Sequence, residues 1–169
     1  MKVILANKND LKEINEILEK VIENMNRQGI EIWNEFYPSE CFLDDIEKQN
    51  LYVLKNDKNK IIGFSALCDG DESGDVFEWI GTKNSQFLTR FAISVDYLGL
   101  GYGKLLLKEI IELAKNKGFE TIKLAVAKVN IPAISLYEKF GFKKVNGIFE
   151  NKYITKCENV EYGYELFLK

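Results

Sequence analysis

The stretch Arg90-Phe91-Ala92-Ile93-Ser94-Val95-Asp96-Tyr97-Leu98-Gly99-Leu100-Gly101-Tyr102-Gly103-Lys104-Leu105-Leu106 decides how the rest of the chain is read. It starts as an apolar run of strand character and passes three glycines at alternate positions. It then enters Leu105 to Ala114, whose apolar residues recur at helical spacing. With no Cβ at Gly99, Gly101 and Gly103, the backbone can close on a bulky anion. The N–H groups and positive dipole end of the following helix would hold its charge. A tight strand-to-helix turn uses the same residues, so the spacing alone leaves both readings open. Two nucleotide signatures do not fit. A P-loop needs GxxxxGK[ST], and Gly103-Lys104-Leu105 lacks both the interval and the hydroxyl; the dinucleotide fingerprint GxGxxG fails on the interval between its glycines.

Working outward from that loop, the upstream half predicts a strand over Lys2–Ala6 and a helix capped by Asn9 or Asp10. Leu11, Ile14, Leu18, Val21, Ile22 and Met25 share one face of that helix. A shorter helix over Ser39–Gln49 follows. Strands Leu51–Leu54 and Ile61–Cys68 flank the turn Asn56-Asp57-Lys58-Asn59, and another strand covers Phe87–Val95. Downstream, Gly118 closes the helix, and Thr121–Ala127 reads as a buried strand. A helix then opens at Asn130 with Pro132 in its first turn and ends at Gly141. Strands over Lys143–Val145 and Glu161–Leu168 complete a sheet covered by helices. With 169 residues, two prolines and no Ser/Gly-rich linker or repeat, residues 1–169 read as one domain.

Composition narrows the function. Hydrophobic residues make up 46%, enough for a core, and the net charge of −3 argues against a sequence-independent nucleic-acid binder. The chain has no histidine, which removes His-dependent triads and His-containing zinc sites. Cys41, Cys68 and Cys157 stand far apart with no CxxC pair, as free thiols in a reducing cytosol would. Met1 to Asn7 lacks a signal peptide's apolar region, and no run approaches the ~20 apolar residues of a membrane span. We therefore expect a cytoplasmic protein without membrane or nucleic-acid partners, as a monomer or homodimer. Asp69-Gly70-Asp71-Glu72-Ser73-Gly74-Asp75 begins like a calcium loop, but its twelfth position is Ile80 and its flanks are strands.

A second block, Asn130-Ile131-Pro132-Ala133-Ile134-Ser135-Leu136-Tyr137-Glu138-Lys139-Phe140-Gly141-Phe142, sharpens the reading. Together the two blocks resemble the acetyl-CoA signature of the GNAT superfamily of N-acetyltransferases. The family's loop, roughly Q/R-x-x-G-x-G/A, falls on Leu98 to Gly103, and N…A…LYxxxGF is common in it. Element order agrees from Lys2 to Leu168, nearly the whole chain. The resemblance implies an α/β, single-domain GNAT-like fold: a mixed, mostly antiparallel sheet of about seven strands flanked by about four helices. It also implies a bulged strand before the loop, splayed from its neighbour, with the pantetheine arm in the gap. The implied reaction moves an acetyl group from acetyl-CoA, a co-substrate, to a primary amine by direct attack in a ternary complex, without a metal.

Carried over by position, Phe91, Ala92 and Ile93 would offer backbone groups to the acetyl and pantetheine. Gly99, Leu100, Gly101, Tyr102, Gly103 and Lys104 would cradle the pyrophosphate. Asn130 would contact the cofactor arm, and Tyr137 would protonate the departing thiolate. A phenol of pKa ~10 is protonated at neutral pH and can donate to a thiolate whose conjugate acid lies near ~8.5. Structural roles fit the same residues: a core aromatic at Tyr137, a helix cap at Asn130.

Two positions depart from the family. Leu98 stands where Arg or Gln is usual, and Ala125 stands where some relatives place a carboxylate, five residues before the Asn. Both favour the alternative of a non-catalytic CoA- or amine-binding module. With no histidine, deprotonating the amine falls to a carboxylate or a water chain ending on one, and Glu78 is the first choice. Residues 1–97 carry net −7 and residues 98–169 net +4, which suits a cationic acceptor on one side and CoA on the other. Trp33, Phe36 and Tyr37 form an aromatic cluster suited to core, lid or acceptor-wall packing.

Overall fold

The strand Leu51–Lys55 is buried on both faces, so the sheet it belongs to must be covered on both. The computed structural model describes residues 1–71, 73–81, 84–150 and 160–168. Among them run β1 (Lys2–Leu5), α1 (Leu11–Arg27), α2 (Phe42–Glu47), β2 (Leu51–Lys55), β3 (Ile61–Cys68) and β4 (Ser85–Ile93). These are followed by α3 (Tyr102–Asn116), β5 (Thr121–Ala127), α4 (Ile131–Lys139), β6 (Lys143–Lys144), β7 (Phe149–Glu150) and β8 (Val160–Phe167). The sheet order is β1-β2-β3-β4-β5-β8-β6, with β7 also pairing β8. Every pairing is antiparallel except β4 with β5.

Period-two alternation sorts the core into two layers. On one face Leu51, Val53, Phe64 and Ala66 meet Ile14, Ile17, Leu18 and Val21 of α1 and Phe42 of α2. On the other, Tyr52, Leu54, Ile62, Leu124 and Val126 meet Leu106, Leu107 and Ile110 of α3 together with Tyr137 of α4. The expected mixed α/β architecture is present, with β7 as an eighth strand beside the seven anticipated.

Several boundaries differ from the sequence expectation for local reasons. The chain enters α1 through a 3₁₀ turn, Lys8–Asp10, and the capping side chain is Asn7, whose Oδ1 accepts from Asn9 N–H at 3.0 Å. Asp10 accepts from Asn7 N–H and pairs with buried Lys55 at 2.6 Å, because a buried ammonium needs a partner. The helix expected over Ser39–Gln49 divides into a 3₁₀ turn, Ser39–Cys41, and α2. β4 ends at Ile93, since Val95–Tyr97 forms a further 3₁₀ turn. The Cys157 thiol lies outside the described residues, as does Glu72 of the acidic loop.

Candidate active site

The site begins as a fault in the sheet. β4 pairs in parallel with β5 only from Ser85 to Phe87, opposite Thr121 to Lys123, and beyond that the two strands part. A bulge accompanies the parting. Thr89 lies opposite Ala66 and Ala92 opposite Phe64, so Arg90 and Phe91 together face Ser65. Such a bulge bends the strand and increases its twist.

Arg90 sits at φ +51°, a left-handed conformation costing a non-glycine residue roughly 1–2 kcal/mol. Its side chain ties the bulge to α2. Nη2 donates to Asp45 Oδ1 at 2.7 Å and to Cys68 Sγ at 3.0 Å. Nε approaches Asp45 Oδ2 at 2.6 Å as an ion-pair contact outside hydrogen-bond alignment. Burial by itself would lower the Arg90 pKa, but Cys68, Asp45 and Tyr37 around it raise it overall, so the guanidinium stays charged. Burial pushes up both the Cys41 and Cys68 thiols, against the opposing pull of Arg90, and both stay protonated near neutrality. Beyond the bulge, Gly63 of β3 approaches so closely that a Cβ there would lie 2.6 Å from the Ala92 carbonyl oxygen.

Two cavities fill the opening between the strands, and they meet at Phe91, Asn130 and Ala133, with Ile32 and Trp33 lining both. The first, of about 410 Å³, runs along Phe91, Ala92 and Ile93 to Gly99, Gly101, Tyr102, Gly103 and Lys104, with α1 as its other wall. Gly99 and Gly101 stand at φ +75° and +85°, and a Cβ at either would enter open space. Gly101 is the N-cap of α3; no side chain caps that helix and no acidic residue stands in its first turn. Open N–H donors with Lys104 beside them therefore fit a pyrophosphate, as in CoA. Leu98 lines this cavity and is exposed, offering it no donor side chain. Leu100, expected in the cradle, is 64% exposed and is not part of the lining.

The second cavity, of about 310 Å³, adjoins the first at those shared residues. Trp33, Tyr37, Phe91, Tyr137 and Phe149 are among its walls, with Ala125 and Ala127 on its floor and Glu40, Asp71 and Glu161 as its carboxylates. Tyr137 is held by Phe91 and Phe142, at ring-centroid distances of 6.2 and 5.6 Å. Burial raises its pKa well above the ordinary phenol value, so it carries its proton throughout the physiological range. Asn130 lines both cavities, and its Oδ1 accepts from Ala133 N–H at 3.3 Å as the N-cap of α4.

Most of the residues singled out from sequence thus converge on one opening, including Trp33 and Tyr37 of the aromatic cluster. Phe36 is instead 65% exposed. Glu78 also lies apart: it is exposed, bridges to Asn146 and accepts from its Nδ2 at 3.1 Å, and it lines neither cavity. Sequence reading did not single out Arg90 with Asp45, nor the cavity carboxylates Glu40 and Glu161. The Arg90–Asp45 pair spans 45 residues and carries no local spacing signal. Among the described residues no group of three or more His, Cys, Asp or Glu could hold a metal ion. No helix among them is long and apolar enough to cross a membrane.

Comparison with known proteins bears on the fold and the family. An N-acetyltransferase of the alanine of ribosomal protein bS18, from Haemophilus influenzae, is 38% identical over 97 residues, which are 57% of this chain and 56% of that one. The match to a Bacillus subtilis (strain 168) protein provisionally assigned the same reaction is 35% identical over 91 residues, 54% of this chain and 59% of that one. The chain thus spans less than two thirds of the length of these curated relatives. A crystal structure of a GNAT-family acetyltransferase from Streptococcus agalactiae superposes with a TM-score of 0.82 at 20% identity, covering 99% of this chain and 95% of that one, a likeness of fold. The ribosomal-protein-S18-alanine N-acetyltransferase from Escherichia coli gives 0.72 at 19% identity, over 99% and 94%. The family model for the acetyltransferase (GNAT) family matches residues 17–142, about three quarters of the sequence, and on that match the chain belongs to the GNAT family of acetyltransferases.

Proposed function

We propose that this protein is an acetyl-CoA-dependent N-acetyltransferase that moves an acetyl group to a primary, cationic amine by direct attack within a ternary complex. One observation carries the reading. The gap where β4 and β5 part joins a cavity ending on an uncapped helix N-terminus to a cavity walled by carboxylates and Tyr137. The first suits a diphosphate-bearing donor; the second suits an ammonium-bearing acceptor.

The places of the lining residues support the following parts. The amides of Gly99 to Lys104, with the Lys104 ammonium, hold the diphosphate. Among the described residues the β4 edge facing β5 has no strand partner past Phe87, which supports a role for the backbone groups of Phe91 to Ile93 in binding the pantetheine arm and polarising the acetyl carbonyl. Asn130, at the junction, orients that arm. Tyr137, kept neutral by burial, gives its proton to the departing thiolate. When bound, acetyl-CoA supplies an activated thioester, so no covalent enzyme intermediate is required, and neither Cys41 nor Cys68 takes part. We read residues 1–169 as one such domain, working in the cytoplasm, where free thiols persist.

The test is thiol release from acetyl-CoA over a panel of amines, with titration calorimetry of acetyl-CoA alone. Acetyl-CoA binding with amine-dependent thiol release is the expected result. Binding without turnover on any amine selects instead the non-catalytic sensor, the reading favoured by Leu98 and Ala125. Absence of binding at high micromolar acetyl-CoA overturns both.

A further inference from the structure

An alkylammonium of pKa ~10 must lose a proton before its nitrogen can attack, and this chain has no histidine to accept it. Among the described residues three carboxylates line the acceptor cavity: Glu40, Asp71 and Glu161. They are differently placed. Glu40 is exposed, on the 3₁₀ turn Ser39–Cys41. Asp71 lies in a loop, where its Oδ1 accepts from Ser73 N–H at 2.9 Å and from the Ser73 hydroxyl. Glu161 is half-buried on β8, a strand paired with β5 over seven registered residue pairs, and such a support fixes a side chain more closely than a loop does.

Register decides what Glu161 faces. It is the direct partner of Ala127, and Gly163 is the partner of Ala125. Side chains two apart on a strand share a face, so Glu161 stands on the face of Ala125 and Ala127, the cavity floor. From Glu161 to Ala125 is the diagonal of that ladder, about 7–8 Å, within reach of a long side chain. The floor itself is only methyl groups, so nothing large on β5 intervenes. Farther along the same face, Gly163 is covered by Phe77, whose ring a Cβ would meet at 2.7 Å. Glu165, beyond it, receives Ile80 N–H at 3.0 Å and Gly81 N–H at 3.0 and 3.1 Å, and so belongs to that loop. Glu161 is the carboxylate of this strand that the cavity takes in.

We propose that Glu161 is the catalytic base, accepting the ammonium proton directly or through one water. This assignment rests on the acetyltransferase reading above and places the base on β8. One ammonium proton passes to the Glu161 carboxylate and on to solvent. The freed lone pair forms the C–N bond to the thioester carbonyl, and the C–S bond breaks. The thiolate takes the Tyr137 proton. The second proton that nitrogen loses in becoming an amide restores the phenol. The products are an N-acetyl amine, the free thiol and one proton.

The experiment uses the full chain with acetyl-CoA, and with an alanine-initiated tetrapeptide and spermidine as acceptors. Wild type, Glu161→Gln, Glu161→Asp and Glu78→Gln are compared from pH 6 to 10. In Glu161→Gln, kcat/KM for the amine should fall about 100-fold or more at pH 7. The deficit should shrink toward pH 10, where the amine loses its own proton. Glu161→Asp should keep the wild-type pH profile at reduced rate, and calorimetry should give both variants the acetyl-CoA affinity of wild type within about 2-fold. A wild-type rate and profile in Glu161→Gln overturns the assignment. So does a deficit that is the same at every pH, or one that appears in Glu78→Gln instead. A wild-type chain that binds acetyl-CoA but releases no thiol with any amine overturns the acetyltransferase reading itself. Loss of acetylation in the Glu161 variants alone cannot imitate that result.

Discussion

The two cavities that meet at Phe91 and Asn130 differ in how much of their lining one local stretch supplies. The donor side draws half of its lining from one continuous stretch, Phe91 to Lys104, folded by its own glycines and by the helix that follows, with α1, the segment after it and α4 closing the rest. The acceptor side is gathered from Ile32–Cys41, Asp71, the bulge at Arg90, the floor of β5, Tyr137, Phe149 and Glu161. A local stretch can carry a motif because its geometry follows from near neighbours. A surface gathered from distant segments depends on how the sheet is ordered and where it breaks. One substitution can hold or spoil a cavity of the second kind by shifting the sheet alone.

Removing the phenol where the two sides meet should cost the most. Tyr137→Phe is expected to lower kcat by 100-fold or more, with less than about 3-fold change in acetyl-CoA affinity, as read by steady-state kinetics and calorimetry. Its pH signature has a definite sign. The acid must be neutral to act, and burial raises its pKa, so wild-type kcat should not fall on the alkaline side below about pH 10. Undiminished turnover in Tyr137→Phe would leave Tyr137 as a core aromatic only.

The acceptor side should then yield to a change outside its lining. Asp45 and Arg90 side chains are 4% and 10% exposed, so Asp45→Asn leaves a buried guanidinium without its counter-charge. A loss of about 3–5 kcal/mol is expected. Calorimetric unfolding should show this as a Tm lowered by roughly 6–20 °C, with the amine KM raised more than the acetyl-CoA affinity is lowered. Equal damage to both would break the contrast between the two sides.

On the donor side, Gly101→Asp tests the anion cradle with little disturbance of the fold. Aspartate tolerates a positive φ better than most residues and would cap α3. It also puts a negative charge where the diphosphate is held, so acetyl-CoA affinity should fall about 100-fold, or ~2.7 kcal/mol, while Tm moves by only a few degrees. The smallest effect is a gain. Leu98→Arg should tighten acetyl-CoA binding by up to about 5-fold at low salt, and most of that should vanish near 1 M salt.

Much of this was legible along the chain. Leu11, Ile14, Leu18 and Val21 repeat at helical spacing and do bury against β3, because periodicity records which face must leave water. The glycine loop and the Asn130 cap were equally plain, since positive φ and capping are local demands. Leu100 shows where that logic stops: it belongs to the loop but not to the cavity lining. Phe36 shows the same, as an aromatic whose exposure no spacing announced.

By itself, then, the sequence determined most of the elements, a sheet covered by helices, the donor loop and the want of histidine that hands proton removal to a carboxylate or a water chain ending on one. Only the tertiary structure decided where β4 leaves β5, that Arg90 and Asp45 brace the bulge, and which carboxylates line the second cavity. The reason is one of range. Helix spacing, caps and glycine turns act over a few residues, whereas strand register and ion pairing join positions tens of residues apart. Glu78 and Glu161 are indistinguishable as letters, and their partners, Asn146 across a bridge and Ala127 across a ladder, place one outside the opening and the other in its lining.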